Sequence, residues 1–229
     1  MKILHTADWH LGQTFYEYDR REEHFHFLEW LKQQIKQHEI DVLLIAGDVF
    51  DSPNPSAESQ RVYYRFLREV TSENPSLQIV IIAGNHDSAA RLEAPNPLLE
   101  DMNIIVRGTV RRNAEGDIDL QHFIVPLYTE GKVTAYCLAV PYLRQGDYPS
   151  AENYSKGVQQ LYEQLFNKVK EKGIPVVAMG HLQATGSEIS EDDRSERTVI
   201  GGLECVSPDA FNEAITYTAL GHLHRSQRV

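Results

Sequence analysis

The sequence has no apolar run long enough to cross a bilayer and only two cysteines among its 229 residues. A transmembrane helix needs about 20 consecutive apolar residues, so no membrane span is expected. The two cysteines, Cys137 and Cys205, allow one disulfide at most, and their apolar neighbours predict buried thiols in a reducing compartment. A basic segment followed by an apolar stretch, the pattern of a secretory signal peptide, is also missing from the N-terminus. We therefore expect a cytoplasmic protein.

Basic residues are in short supply. The chain has 22 lysines and arginines against 33 acidic residues, which gives a formal net charge of −11. A broad nucleic-acid-binding surface needs basic side chains to contact phosphates, so the overall charge does not support one. Bound divalent cations, however, supply positive charge where a formal count shows only their ligands. The charge therefore leaves a nucleic-acid substrate open without favouring it.

Four apolar, β-rich runs, at residues 2–7, 41–46, 77–83 and 175–179, predict strands that are covered on both faces. Helical spacing of apolar residues follows at 27–35, 62–70 and 158–169, and residues 122–140 predict a hairpin with its turn at 130–131. This mixture predicts an α/β fold of one domain over residues 1–229, a four-layer α-β-β-α sandwich of two mixed sheets with flanking helices. The acidic stretch 187–197 predicts a mobile, solvated loop.

Four polar motifs follow these apolar runs, and a fifth follows the shorter run at 217–220. They are Asp8-Trp-His10, Gly47-Asp48-Val-Phe-Asp51, Gly84-Asn85-His86-Asp87, Gly180-His181 and Gly221-His222-Leu-His224. Because α/β sheets build their sites beyond the carboxyl ends of the strands, we expect these motifs to converge. Carboxylate, imidazole and amide oxygen together suit a pair of divalent cations, which is the usual device for hydrolysing a phosphate ester.

Seven of these side chains are candidate metal ligands: Asp8, His10, Asp48, Asn85, His181, His222 and His224. Asp8 and His10 lie two positions apart, so both side chains are expected on the same side of an extended segment. A carboxylate at Asp48 can bridge two ions with one oxygen each. Taken singly, an aspartate after a strand is more often a helix cap or a turn residue. The five motifs together favour the metal site.

His86 is the candidate catalytic residue, since a histidine beside two metals can protonate a leaving oxygen or bind the charge that develops on phosphorus. Asp51 is its candidate partner, expected to fix the tautomer of the imidazole, with a turn or capping role before Pro53 as the alternative. Asp87 is expected to cap the turn that follows or to brace the loop. Arg91 is a candidate substrate contact, for which an ordinary surface role is the alternative.

The motif set Asp-x-His, Gly-Asp-x-x-Asp, Gly-Asn-His-Asp, Gly-His and Gly-His-x-His resembles the calcineurin-like metallophosphoesterases. The sequence that flanks the motifs is most similar to the branch of this family that contains the double-strand-break repair nucleases, whose partner is an SMC-like ATPase. The resemblance runs along the whole chain, and it implies two manganese ions. One would be bound by Asp8, His10, Asp48 and His224, and the other by Asp48, Asn85, His181 and His222, with His86 as catalytic histidine oriented by Asp51.

This resemblance implies a 3′-to-5′ exonuclease on duplex DNA ends and an endonuclease on single strands and hairpins, active in DNA repair, recombination and replication near the nucleoid. It also implies a homodimer, because family members dimerise through helices of the nuclease domain. Such chains continue into more of the phosphoesterase domain, a capping domain and an ATPase-docking segment. We therefore expect this chain to be C-terminally truncated and to lack those parts.

Two other functions compete with the nuclease. A phosphatase or small-molecule phosphodiesterase of the same superfamily would share the metal ligands. Against it, the segment from Gly47 to Ser52 lacks the Arg-Gly that follows the second aspartate in the protein-phosphatase pattern. A non-catalytic scaffold would be expected to have lost ligands, and here none of the seven is replaced.

Overall fold

A computed structural model of the chain describes residues 1–185, 205–224 and 227, so the loop predicted at 187–197 lies outside the described residues. The strands are β1 (Ile3–Thr6), β2 (Thr14–Phe15), β3 (Tyr18–Asp19), β4 (Val42–Ala46), β5 (Gln78–Ile82), β6 (Ile104–Arg107), β7 (Ile124–Thr129), β8 (Lys132–Ala139), β9 (Val176–His181) and β10 (Tyr217–Gly221). The α-helices are α1 (Arg21–His38), α2 (Ala57–Glu73), α3 (Ala89–Glu93), α4 (Asn96–Leu99), α5 (Leu120–Phe123) and α6 (Tyr154–Val169). Single 3-10 turns occupy Glu100–Met102, Lys170–Lys172 and Pro208–Ala210.

Two four-stranded sheets, with the orders β1-β4-β5-β6 and β10-β9-β8-β7, form the body of the fold. The described pairs of the first sheet are all parallel. The second sheet is mixed, because β7 and β8 form an antiparallel hairpin while β8, β9 and β10 run parallel. The carboxyl ends of the parallel strands therefore meet along one edge of each sheet, where loops can build a site.

Successive side chains of a buried strand point in turn into two different cores, and both cores are apolar. This explains why the strand sequences are apolar throughout. In β4, Leu43 and Ile45 pack in an outer core with α1 and α2, while Leu44 and Ala46 pack in a central core against the second sheet. A third core lies between the second sheet and α6, which contributes Leu161 among others. Helices thus cover the outer face of each sheet, and the predicted four-layer α-β-β-α fold is confirmed. The prediction that both sheets are mixed is wrong for the first sheet, whose described pairs are parallel because helical crossovers connect its strands.

The predicted helices and hairpin are confirmed, and each long helix extends beyond its apolar stripe. The side-chain oxygen of Ser56 accepts a hydrogen bond of 3.0 Å from the main-chain N–H of Ser59 at the start of α2. The turn between β7 and β8 consists of Glu130 and Gly131, with φ values of +52° and +74°. Positive φ at both positions is the geometry of a two-residue type I′ turn, whose twist matches that of the flanking strands.

The cysteine prediction is half wrong. Cys137 is buried in the central core, where burial raises the pKa of its thiol, but Cys205 is exposed. Apolar neighbours in sequence do not bury a residue that lies in a connection rather than in a strand. Among the described residues, no helix is both long enough and apolar enough to span a bilayer.

Candidate metal centre

Two loops that follow neighbouring strands lie side by side and carry the first candidate ligands. Beyond β1 and β4, the main-chain N–H groups of Asp8 and His10 donate to the carbonyl oxygens of Gly47 and Asp48, each at 3.0 Å. The N–H of Leu11 then donates to Val49 at 2.9 Å. These bonds continue the parallel pairing past the ends of the strands. They place Asp8 and His10 beside Asp48.

The backbone of the first motif is not extended as predicted. Asp8 and His10 have φ values of +56° and +46°, in the left-handed region. Their side chains nevertheless share one side, because Trp9 between them turns into the outer core, 5.9 Å from the ring of Phe27 and 5.3 Å from that of Phe66. The side chains of Asp8 and His10 therefore point the same way because Trp9 is anchored in the core, and not because they alternate along an extended strand.

Positive φ recurs at other candidate ligands. Asp48 has φ +49° and His222 has φ +93°. A non-glycine residue in this region costs about 1–3 kcal/mol, and such residues persist only where the surroundings hold them. For His222 part of that hold is visible, since its main-chain N–H donates to both carboxylate oxygens of Asp8, at 2.9 and 3.2 Å. This contact joins the loop after β10 to the loop after β1.

One cluster of donor atoms consists of His10, His224, Asp48 and Asp8. The Nε2 atoms of His10 and His224 lie 3.1 Å apart. Nε2 of His10 is 3.8 Å from Oδ2 of Asp48, and Nε2 of His224 is 4.0 Å from Oδ1 of Asp8. Donors from Asp8, His10 and His224 all lie within 4.8 Å of one another, as do those of His10, Asp48 and His86.

A second cluster shares Asp48 with the first. Oδ2 of Asp48 lies 3.2 Å from Nε2 of His181. Oδ1 of Asn85 lies 3.0 Å from that same nitrogen and 3.0 Å from Nδ1 of His222. His181 belongs to β9 itself and is not in the loop after it, and its side chain is fully buried. The structure thus brings all seven predicted ligands into two adjoining groups.

The chemistry of the second cluster fits a cation. Nδ1 of His181 lies 2.8 Å from the carbonyl oxygen of Ala46, which can only accept, so this nitrogen carries a proton. Nε2 faces the carboxylate of Asp48 and the carbonyl oxygen of Asn85, neither of which can donate, so this contact needs either a proton on Nε2 or a bound cation. Two ligands bound at about 2.1 Å to one ion at right angles are about 3.0 Å apart, which matches the observed spacings.

The electrostatics of the cluster agree. Burial opposes charge on both Asp48 and His181, yet the adjacent imidazoles keep the pKa of the Asp48 carboxyl well below its usual value. In turn, against the effect of burial, the carboxylates of Asp48 and Asp8 raise the pKa of His181 to about 9. Burial and the charge of His181 lower the pKa of His222 to about 4. The centre therefore favours positive charge next to Asp48, which is what a divalent cation supplies.

His86 lies beside the first cluster, with its ring 4.8 Å from that of His10. Its main-chain N–H donates to Oδ1 of Asp48 at 2.9 Å, and its ring Nδ1 lies 3.0 Å from the main-chain carbonyl oxygen of Asp51. The carboxylate of Asp51 is 3.4 Å from Nδ1 of His10 instead. Asp51 thus contacts His86 as predicted, but through its main-chain carbonyl group. The prediction that its carboxylate makes this contact is wrong.

Glycine is required where the loops approach each other most closely. Gly47 has φ +91°, and a Cβ atom there would lie 2.2 Å from Nδ1 of His181. A Cβ atom at Gly84 would lie 2.1 Å from Oδ1 of Asp48. Any side chain at either position would displace a candidate ligand, which explains the glycine that precedes Asp48 and Asn85.

Asp87 braces the loops and is itself buried. Its carboxylate accepts hydrogen bonds from the main-chain N–H groups of Val49, Phe50 and Gly84, at 3.2, 3.0 and 2.9 Å. One side chain therefore ties the loop after β4 to the loop after β5. Bracing was one of the two roles expected for this residue, and the structure shows that one.

Arg91 lies outside both clusters, on α3, where its guanidinium donates to the side-chain oxygen of Asn54 at the surface. A residue that the sequence did not single out lies closer: the ring centroid of Tyr142 is 6.2 Å from that of His181. Tyr142 follows the end of β8, which is parallel to β9. Its position three residues beyond the end of β8 was the signal in the sequence that could have identified it, because residues just after a strand often line a site.

Comparison with known proteins agrees with this geometry. The chain matches the calcineurin-like phosphoesterase family over residues 1–226. It is 42% identical to the SbcD subunit of the nuclease SbcCD from Rhodobacter capsulatus, over 99% of this chain and 58% of that protein. Proteins of the same name from Escherichia coli K12 and Bacillus subtilis 168 are 32% and 30% identical, over 99% and 100% of this chain and 57% and 58% of their own length. The chain thus spans somewhat under three fifths of the relatives it matches.

Proposed function

Because this chain belongs to the calcineurin-like phosphoesterase family, we propose that it is a metal-dependent nuclease that hydrolyses the phosphodiester bonds of DNA. The observation that carries the proposal is the pair of donor clusters that share Asp48, since two cations held side by side are suited to phosphate-ester hydrolysis. The relatives are named as nucleases, which supports a nucleic acid as the substrate over a phosphate monoester.

The two clusters support one set of ligands for each ion. The first ion would be held by Asp8, His10, Asp48 and His224, and the second by Asp48, Asn85, His181 and His222. We propose manganese for both, because a set of imidazoles, carboxylates and one amide oxygen suits a borderline divalent metal. When bound, the two ions activate a water molecule and stabilise the charge on the phosphate oxygens.

His86 is proposed to act on the substrate directly. Its Nδ1 is engaged with the carbonyl oxygen of Asp51, so Nε2 is the ring nitrogen proposed to face the substrate. In its protonated form, Nε2 can give its proton to the departing oxygen or donate a hydrogen bond to a phosphate oxygen. Proton transfer of this kind raises the rate about 10²- to 10⁴-fold in other enzymes. The bond from its main-chain N–H to Asp48 keeps the residue next to the centre that binds the phosphate.

The wider activity is proposed from the relatives. We propose 3′-to-5′ exonuclease action on duplex ends and endonuclease action on single strands and hairpins. We further propose an SMC-like ATPase of the SbcC type as partner, and a homodimer. The pairing of this subunit type with a second one is implied by the name that the relatives carry.

Cleavage of a short duplex DNA in manganese tests the proposal, with a His86→Ala variant and a phosphate monoester assayed in parallel. We expect the unmodified chain to cleave DNA and not the monoester, and the variant to lose the cleavage. Turnover of the monoester without cleavage of DNA would replace the nuclease by a phosphatase. Binding of two metals per chain without turnover of either substrate would contradict a nuclease activity of this chain.

A further inference from the structure

The segment after β8 reaches the edge that carries the metal centre. β8 pairs in parallel with β9, so residues 140–147 leave the second sheet on the same side as His181. The main-chain N–H of Tyr142 donates to the carbonyl oxygen of Ala83 at 2.8 Å, next to the loop that carries Asn85 and His86. This hydrogen bond crosses from one sheet to the other, and it fixes the position of Tyr142 relative to both.

Tyr142 connects this centre to an exposed cation. Its half-buried ring packs against that of His181, at 6.2 Å between centroids and an interplanar angle of 76°. On the same ring, at 5.9 Å from the centroid, lies the guanidinium carbon of Arg144. Arg144 is exposed, and within the described ranges its guanidinium has no carboxylate at ion-pair distance. The nearby carboxylate of Asp147 accepts from the main-chain N–H of Arg144, at 2.8 Å.

An arginine in this position has the right chemistry for a phosphate. A guanidinium offers paired N–H donors that match two oxygens of one phosphate group. Packing over an aromatic ring holds the guanidinium in place and leaves its edge open to solvent. In a chain of net charge −11, a cation that is placed at the edge of the metal centre provides local attraction for phosphate that the net charge does not.

We propose that Arg144, held in place by Tyr142, binds a phosphate of the DNA strand next to the one at the metal centre. This inference rests on the proposed nuclease function and deepens it. Arg144 contacts the substrate, whereas Tyr142 is a positioning residue that acts through Arg144. The subsite would select a substrate with more than one phosphate, which is a property of a DNA strand and not of a small phosphodiester.

DNA binding measures the contact without requiring turnover. In a His86→Ala background with manganese, the Kd of a labelled single-stranded oligonucleotide is measured over a range of salt concentrations. We expect Arg144→Ala to raise Kd about tenfold, as for loss of one charged hydrogen bond, and to reduce the slope of log Kd against log salt by about one phosphate contact. Arg144→Lys should keep the slope and recover part of the affinity.

A thermodynamic cycle tests the role of Tyr142. Tyr142→Ala should raise Kd by roughly threefold in the presence of Arg144, as for loss of a cation–π contact. In the Arg144→Ala background the same change should raise Kd by much less, because the two residues act as one unit. Full additivity of the two effects would contradict the positioning role of Tyr142.

Arg68→Ala is the matched control, since Arg68 is an exposed arginine on α2 that pairs with Glu69. If Arg144→Ala and Arg68→Ala give the same Kd and the same salt slope, the subsite is wrong. Cleavage by the unmodified chain separates the two proposals. Binding that depends on Arg144 without cleavage would support the subsite and contradict the nuclease, and cleavage with no effect of Arg144 on binding would do the reverse.

Discussion

The two sheets supply ligands to one centre in different ways. The first sheet holds Asp8, His10 and Asp48 on loops beyond its strands, with φ values of +56°, +46° and +49°. The second sheet holds His181 within β9, fully buried, with its ring bound to the carbonyl oxygen of Ala46 in the other sheet. A side chain on a strand is placed by the sheet, whereas side chains on loops need other bonds to hold a costly backbone.

The loops of the first side show those other bonds. The loops after β1 and β4 are paired through their main chains, and the carboxylate of Asp87 binds the loops after β4 and β5 together. On the second side, the corresponding support comes from packing of β9 between two cores. The comparison predicts that hydrogen bonds decide the geometry of the first half of the centre and of His222 in the loop after β10, whereas packing decides that of His181.

The largest effect is expected where the two halves meet, at Asp48. Asp48→Asn removes the carboxylate that both clusters share, so kcat for DNA cleavage should fall by at least about 10⁴-fold, or roughly 5–6 kcal/mol of transition-state stabilisation. Steady-state kinetics at saturating manganese measure this. Asp101→Asn, at an exposed acid in the turn after α4, is the control. Activity of Asp48→Asn within tenfold of the unmodified chain would contradict the shared role.

His86→Ala should separate chemistry from metal binding. The proton donor is lost, so kcat should fall by about 10²- to 10⁴-fold, but the seven ligands stay and two metals per chain should still bind. Kinetics together with elemental analysis check both parts. His26→Ala, at an exposed histidine of α1, is the control. Loss of a metal from His86→Ala would instead make His86 a ligand.

Asp87→Asn tests the brace of the first half. An amide has one acceptor oxygen where the carboxylate has two, so at least one of the three main-chain N–H groups loses its partner in a buried place. We expect the free energy of unfolding to fall by about 1–3 kcal/mol, measured with urea, and manganese affinity to fall with it. A variant with unchanged stability and unchanged affinity would show that the loops do not depend on this side chain.

Glu130→Asn gives the smallest effect and the opposite sign. Glu130 has φ +52° in the type I′ turn between β7 and β8, a conformation that asparagine adopts more readily than glutamate. The free energy of unfolding should rise by about 0.5 kcal/mol with no change in metal affinity. Positive φ at a non-glycine residue can therefore be relieved by substitution at Glu130, which lies far from the centre. At Asp48, which has φ +49°, the side chain is needed as a ligand and cannot be replaced in the same way. A loss of stability would contradict the assigned turn.

Much of the site could be predicted because strand ends are visible in the sequence. The apolar runs before Asp48 and Asn85 mark parallel strands, and parallel strands bring their carboxyl ends together. The left-handed backbone at Asp8 and His10 could not be predicted, because it depends on bonds to Gly47 and Asp48, which are distant in sequence.

The contacts of individual atoms were also beyond the sequence. Spacing predicted that Asp51 would contact His86, but the turn decides that its carbonyl oxygen does so while its carboxylate faces His10. Tyr142 was missed because an aromatic residue after an apolar strand resembles a core residue. Only the parallel pairing of β8 with β9 shows that it lies beside His181.

The number of manganese ions bound per chain tests the central claim most directly. Equilibrium dialysis followed by elemental analysis should find two ions per chain at saturation, and fewer than two for Asp48→Ala, since that carboxylate belongs to both clusters. One ion or none in the unmodified chain, or two ions still bound to Asp48→Ala, would contradict a centre built jointly by the two sheets.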